Sequence, residues 1–135
     1  MAKRKITPRR LAIALARVCA ENRCQDVAVL DLRKRSPVTD FFVLATGTSS
    51  RQMHAAASRA LEAAEELGER PFGVEGENGG WWILADYVDV IVHLFTDESR
   101  QYYDLELLWG DAPRIDWQKG WRPRETDEAP VVGDA

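Results

Sequence analysis

Two histidines, a short run of hydroxyls and a pair of aspartates are the residues of this 135-residue chain that could do chemistry. His54 falls early in a helix-like run, beside its apolar stripe, and His93 falls in a strand-like run. Asp89 precedes His93 by four residues, roughly 13 Å along an extended chain, too far for a hydrogen-bonded couple without help from the fold. Two structural histidines are therefore the favoured reading. Ser49 and Ser50 would need a strained elbow and an oriented base to act as nucleophiles, and the sequence has neither. Gly47-Thr48-Ser49-Ser50-Arg51 follows an apolar run and opens a helix, a setting in which backbone N–H groups bind anions. It lacks the spacing of either glycine-rich nucleotide loop, so an ordinary capped helix start is preferred. Metal-assisted phosphoryl transfer would need two or three carboxylates together. Asp86 and Asp89 flank a turn, but the residue two after Asp89 is Ile91, so no Asp-x-Asp pair shares a strand face. No catalytic residue, metal site or cofactor is expected. A small nucleotidyl- or phosphoryl-transferase using 47–51 for phosphate, with Asp86 and Asp89 on metal, is the alternative.

What remains is a stretch, 71–109, dense in Trp, Tyr and carboxylates without catalytic groups, which reads first as a protein-docking surface. Trp82, Leu84 and Asp86 share one face of a predicted strand, and Trp81, Ile83 and Ala85 share the other. Since each face carries a tryptophan, one indole is expected under a helix and the other against a second subunit or a partner.

The elements that hold these residues follow from pattern. Thr7-Pro8 suits a helix start, and Leu11, Leu15, Val18 and Cys19 make one apolar stripe to about residue 22. Residues 27–32 are β-branched and aliphatic, hence a strand. Pro37 makes 33–40 a loop. The continuous apolar run 41–46 predicts a central strand buried on both faces. Ser49 with Gln52 forms a capping box for the longest helix. Its inner face is Met53, Ala57, Ala60, Leu61, Ala64 and Leu67, and Gly68 stops it. Residues 72–75 predict a short strand and 76–80 a turn. Segments 81–86 and 88–95 predict an antiparallel pair, followed by one helix over 98–108 capped by Thr96 or Asp97. The chain is expected to be extended from 110. This order predicts an α/β (α+β) fold, a mixed five-stranded sheet covered by helices. Residues 1–10 read as a basic lead, 11–117 as the domain, and 118–135 as a mobile tail with little to anchor it.

Hydrophobic content of 45% and charged content of 30% are ordinary for a globular protein, and no apolar run is long enough to span a membrane. No secretory signal is read, and Cys19 and Cys24 are expected as reduced thiols, so a cytoplasmic location is expected. The net charge of −4 hides an asymmetry. Residues 1–35 hold ten Lys/Arg against three Asp/Glu, while 36–135 hold eight against nineteen. An acidic aromatic body repels nucleic acid and attracts a basic protein, while the basic front could touch RNA phosphates.

Several ordered motifs resemble the ribosomal silencing factor, or Iojap-like, family. They are Asp40 after Pro37-Val38-Thr39; Thr46-Gly47-Thr48-Ser49; Gly73-Val74-Glu75-Gly76; and Trp82, Asp86 and Asp89-Val90-Ile91-Val92-His93. Tyr103-Asp104-Leu105-Glu106 and Leu108-Trp109-Gly110-Asp111 complete the set. The resemblance covers about 11–117. It implies a nucleotidyltransferase-like fold without the catalytic carboxylates, and a non-enzymatic factor that is often a homodimer when free. It further implies docking on the large ribosomal subunit, at the intersubunit face, through ribosomal protein number fourteen. There the factor would block subunit joining and lower translation when nutrients are scarce. Trp82, Asp86, Tyr87, Asp89, His93, Tyr103, Trp109 and Asp111 are the expected contact region. Trp82 and Tyr103 would be the apolar anchors, and the aspartates partners for Arg or Lys. Two positions depart from the pattern: the family often has Gly where this chain has Val88, and Trp81 is an extra aromatic.

Overall fold

The protein is described by a computed structural model over residues 5–122. The elements are α1 (Pro8–Glu21), β1 (Gln25–Asp31), β2 (Phe41–Thr46), α2 (Ser50–Glu66), β3 (Gly73–Glu75), β4 (Trp82–Asp86), β5 (Val90–Phe95), α3 (Asp97–Tyr103) and α4 (Leu105–Leu108). The strands form one mixed five-stranded sheet in the order β1-β2-β5-β4-β3. β2 and β5 run parallel and every other neighbouring pair is antiparallel. All six residues of β2 are buried, as a continuous apolar run in the middle of a sheet requires.

α1 and α2 cover one face. Thr7 caps α1 by accepting from Arg10 N, with Pro8 at the first helical position, and Leu11, Ala12, Leu15, Ala16 and Cys19 point inward. α2 is capped by Ser49 Oγ, which accepts from Gln52 N at 3.1 Å. Its buried stripe is Met53, Ala56, Ala57, Ala60 and Ala64. Four alanines in that stripe let the helix lie close to the sheet. Leu67 is exposed and Leu61 only half-buried, so the predicted inner face is one turn shorter than expected.

The opposite sheet face carries a second apolar cluster of Ala28, Leu30, Leu32, Phe42, Leu44, Phe95 and Ala112, against which Trp82, Ile91, Leu105 and Trp109 pack. Its cover is partial: the short helices α3 and α4, then the chain after them. That last segment runs along the outer edge of β1, where Asp31 N donates to Pro113 O at 2.8 Å and Ile115 N to Val29 O at 2.9 Å. An otherwise open strand edge is thereby paired.

Four sequence expectations are corrected. The last strand begins at Val90 rather than 88, because Asp86 Oδ1 accepts from Val88 N at 2.7 Å in a tight turn with Val88 at φ 72°. The single helix over 98–108 is two helices, broken at Asp104, which takes φ 45° and caps the second by accepting from Leu107 N. β1 starts two residues early and carries a register shift between Gln25 and Ala28, with Asp26 at φ 50°. The start of the expected mobile tail is anchored. Arg17 donates through Nε to Trp117 O at 2.8 Å and through Nη2 to Lys119 O at 3.0 Å, and the rings of Trp117 and Trp121 lie 5.4 Å apart. The remainder of that tail, 123–135, and residues 1–4 of the basic lead lie outside the described residues, while Pro8, Arg9 and Arg10 belong to α1.

Candidate docking surface

β4 and β5 bring the aromatic residues together. Directly paired residues on neighbouring strands share a face, and Trp82 pairs with Phe95 and Leu84 with His93. The Trp82 ring lies 4.4 Å from Tyr103, 5.3 Å from Phe95 and 5.8 Å from His93. Phe42 meets His93 edge-on at 4.6 Å and Trp109 edge-on at 6.3 Å. The group is continuous from β2 across β5 and β4 to α3, and its outer members are half-exposed.

Trp82 Nε1 donates to His93 Nδ1 at 3.1 Å. Indole nitrogen can only donate, so Nδ1 must hold a lone pair and the neutral imidazole carries its proton on Nε2. Burial pushes the His93 pKa down to about 4. Its Nε2–H has no hydrogen-bond partner among the described residues. His93 thus orients Trp82 from beneath rather than meeting a partner itself.

The break at Asp104 positions Tyr103. It turns α4 back so that Glu106 reaches Arg100, whose Nε donates to Oε1 at 2.9 Å; Arg114 Nη2 donates to Oε2 at 2.8 Å. Arg100 Nη1 also donates to Asp26 O and Thr46 Oγ1, tying α3 to β1 and β2. The Arg100 guanidinium, with Arg114, holds the Glu106 carboxyl below its usual pKa. At the start of β4, Gly76 (φ 85°) passes so near Trp82 that an added Cβ would overlap the Trp82 carbonyl oxygen.

Sequence reasoning missed part of this surface. Trp81 is 59% exposed, Tyr102 81%, Leu107 77% and Leu108 70%, apolar side chains left without cover by the described residues. Trp81, Thr96, Glu98, Ser99, Tyr102 and Tyr103 line a groove of about 480 Å³. Tyr102 and Leu107 were legible only as parts of a helix whose break was not foreseen.

The eight expected contact residues do not form one patch. Trp82, Tyr103 and Trp109 belong to the aromatic face. His93 lies beneath it and Tyr87 is buried among the residues packed on the α1–α2 side, so neither side chain offers a surface. Desolvation raises the Tyr87 pKa to about 12. Asp86 and Asp89 sit at the far end of the β4–β5 pair, four residues or roughly 13 Å from Trp82 along the strand. Asp111 is exposed and paired with Arg35 at 3.3 Å.

Residues 47–51 and His54 make local contacts of their own. Thr48 N donates to Gln52 Oε1 at 2.9 Å and Gln52 N to Ser49 Oγ, so the helix cap engages two of the N–H groups at this helix start. The His54 ring nitrogens face the carbonyl oxygens Ser50 O and Glu77 O, which accept from the ring N–H, and these carbonyls raise its pKa. Among the described residues, no group of three or more His, Cys, Asp or Glu could hold a metal ion. No described helix is long and apolar enough to cross a membrane.

Residues 5–132 match the protein-family model described as ribosomal silencing factor during starvation. The chain belongs to the ribosomal silencing factor family. The match runs past the 11–117 span of the motifs and takes in Trp121 and the packed segment before it. A ribosomal silencing factor of Bacillus subtilis is 40% identical over 110 residues, covering 82% of this chain and 92% of that one. A mouse relative named mitochondrial assembly of ribosomal large subunit protein 1 is 30% identical over 98 residues, covering 70% of this chain and 43% of its own. A crystal structure of a Chromobacterium violaceum protein has the same fold, with a TM-score of 0.75 and 29% identity, covering 88% of this chain and 92% of that one. Val88 stands at a left-handed backbone position, φ 72°, which glycine adopts without strain.

Proposed function

We propose that this silencing factor docks on the large ribosomal subunit with the face built from β4, α3 and α4. The site is the intersubunit face, against ribosomal protein number fourteen. Occupying it keeps the small subunit from joining and lowers translation when nutrients are limiting. The observation that carries the reading is the exposed aromatic and aliphatic surface around Trp82, which the described residues leave open, with Glu98 lining its groove. A face of this composition suits a basic protein surface better than RNA, whose phosphates the carboxylates would repel. The mouse relative's name, which speaks of large-subunit assembly, supports the same class of partner.

Trp82, Tyr103 and Trp109 are the anchors of this reading, and Trp81, Tyr102, Leu107 and Leu108 join them. Asp86, Asp89 and Asp111 are peripheral partners for Arg or Lys. Tyr87 and His93 support the surface from within. Free copies cover the same apolar face by pairing as a homodimer, and Lys5, Arg9 and Arg10 add a minor contact to ribosomal RNA. The factor acts in the cytoplasm without cofactor or catalysis.

The test is subunit joining followed by light scattering after small and large subunits are mixed with magnesium. The wild-type chain slows joining, and Trp82→Ala restores it. Unimpeded joining in the presence of excess wild-type chain overturns the reading. The transferase alternative makes an opposite prediction: nucleotide with Mg²⁺ raises the melting temperature, since a ligand of the native state stabilises it.

A further inference from the structure

The end of α1 places the only two cysteines of the chain side by side. Asn22 is the C-cap, Arg23 takes the left-handed conformation at φ 71°, Cys24 N donates to Cys19 O at 3.0 Å and Arg23 N to Ala20 O at 3.1 Å. These are the two hydrogen bonds of a Schellman ending, in which the third residue before the cap and the second after it pack their side chains together. Here those two residues are Cys19 and Cys24. A direct backbone hydrogen bond keeps their Cα atoms within the roughly 7 Å that a disulfide can bridge.

Both thiols are free. Cys19 is fully enclosed, whereas Cys24 is 9% exposed and is the one a small molecule could reach. The two thiols lie close enough to shift each other's ionisation. Gln52 Nε2 donates to Cys24 Sγ at 3.5 Å and to Asn22 O at 2.6 Å. A side-chain donor thus reaches the Cys24 sulfur.

We propose that Cys19 and Cys24 form a reversible oxidation site that takes a small hydroperoxide and closes as an intramolecular disulfide. Hydrogen bonding from Cys19, with help from Gln52, lowers the Cys24 pKa against the opposing effect of burial. Donation to Cys24 and burial raise that of Cys19. Cys24 is therefore the attacking thiolate and Cys19 the resolving thiol. In the first step the Cys24 sulfur attacks a peroxide oxygen and the O–O bond breaks. The second oxygen leaves as water after taking a proton, and Cys24 becomes a sulfenic acid. In the second step the Cys19 sulfur attacks the Cys24 sulfur, the S–O bond breaks, and hydroxide leaves as water with the Cys19 proton. Two thiols lose two electrons in all, and one hydrogen peroxide becomes two waters. Dithiol reductants reverse the change by exchange. A bulky disulfide reagent cannot approach a sulfur this enclosed, which is why the class of oxidant is a small peroxide.

The test uses the native, full-length chain and hydrogen peroxide, followed by denaturation, iodoacetamide and intact mass. The expected product is a monomer lighter by two hydrogens with no alkylated thiol, and dithiothreitol restores two alkylatable thiols. Cys19→Ser is expected to stop at a Cys24 sulfenic acid that dimedone captures. Cys24→Ser is expected to leave Cys19 alkylatable, reacting about tenfold more slowly or worse. Two alkylatable thiols after peroxide, a disulfide between two copies, or Cys24 carried to sulfinic acid beside an intact Cys19 would each overturn the proposal. The wild-type measurement needs neither variant to fold.

Discussion

Replacing His93 by leucine removes a pH dependence of stability that its burial creates. Trp82 can only donate to His93 Nδ1, so protonating the ring breaks that bond and places a charge among Phe42, Trp82 and Phe95. The folded pKa is about 4, against an ordinary 6.5 in the unfolded chain. Between these values the unfolded chain binds more protons, so stability rises with pH across this window. The contribution is complete above pH 6.5 and is lost as pH falls toward 4. Relative to pH 7, the loss from this one residue is about 2 kcal/mol at pH 5 and about 3 kcal/mol at pH 4. Urea unfolding of the wild-type chain and His93→Leu at pH 7 and pH 5 isolates it, since most carboxylates are still ionised at pH 5. The variant is less stable at pH 7, because the Trp82 N–H loses its acceptor at a cost of about 1–3 kcal/mol, and the difference from the wild type narrows or closes at pH 5. Its loss between pH 7 and pH 5 is expected to be smaller than that of the wild type by about 2 kcal/mol. Equal losses in the two proteins would refute the placement of a neutral, enclosed His93 beneath Trp82.

Two further substitutions probe the backbone around the docking face. Gly76→Ala forces a Cβ onto the Trp82 carbonyl at a positive φ, and is expected to lower stability by roughly 2–4 kcal/mol in urea titration and to shift the Trp82 indole resonance. Val88→Gly relieves a β-branched residue held at φ 72° and is expected to raise stability by about 1 kcal/mol, read as a higher urea midpoint at unchanged slope.

The strongly periodic parts of the fold were legible in the sequence. β2 runs over the six residues of its apolar run, and both long helices start at the caps that Thr7 and Ser49 announce. What escaped were non-glycine residues in left-handed conformations. Asp104 splits the last helix, Val88 shortens β5 and Asp26 bulges β1, and hydrophobic periodicity carries no signal for any of them. Asp104 did carry a weak one: aspartate tolerates that conformation and is a good N-cap for Leu105-Glu106-Leu107-Leu108. The site was half legible. Trp82 and Tyr103 were expected as anchors, and the structure brings their rings within 4.4 Å of each other. Strand alternation cannot distinguish a histidine aimed at solvent from one enclosed by aromatic neighbours, so the burial of His93 was not legible. Tyr87 lies in a turn, where alternation says nothing. The anchored segment around Trp117 and Trp121 was hidden by its prolines and charges, although two tryptophans that close together were reason to expect packing.

Co-sedimentation of the chain with separated ribosomal subunits at physiological salt tests the central claim most directly. The wild-type chain is expected to pellet with the large subunit and not with the small one, and Trp82→Ala, folded by circular dichroism, to bind at least about tenfold more weakly. A wild-type chain that stays in the supernatant, or pellets equally with both subunits, would contradict the docking account. Undiminished binding by Trp82→Ala would move the contact to another face.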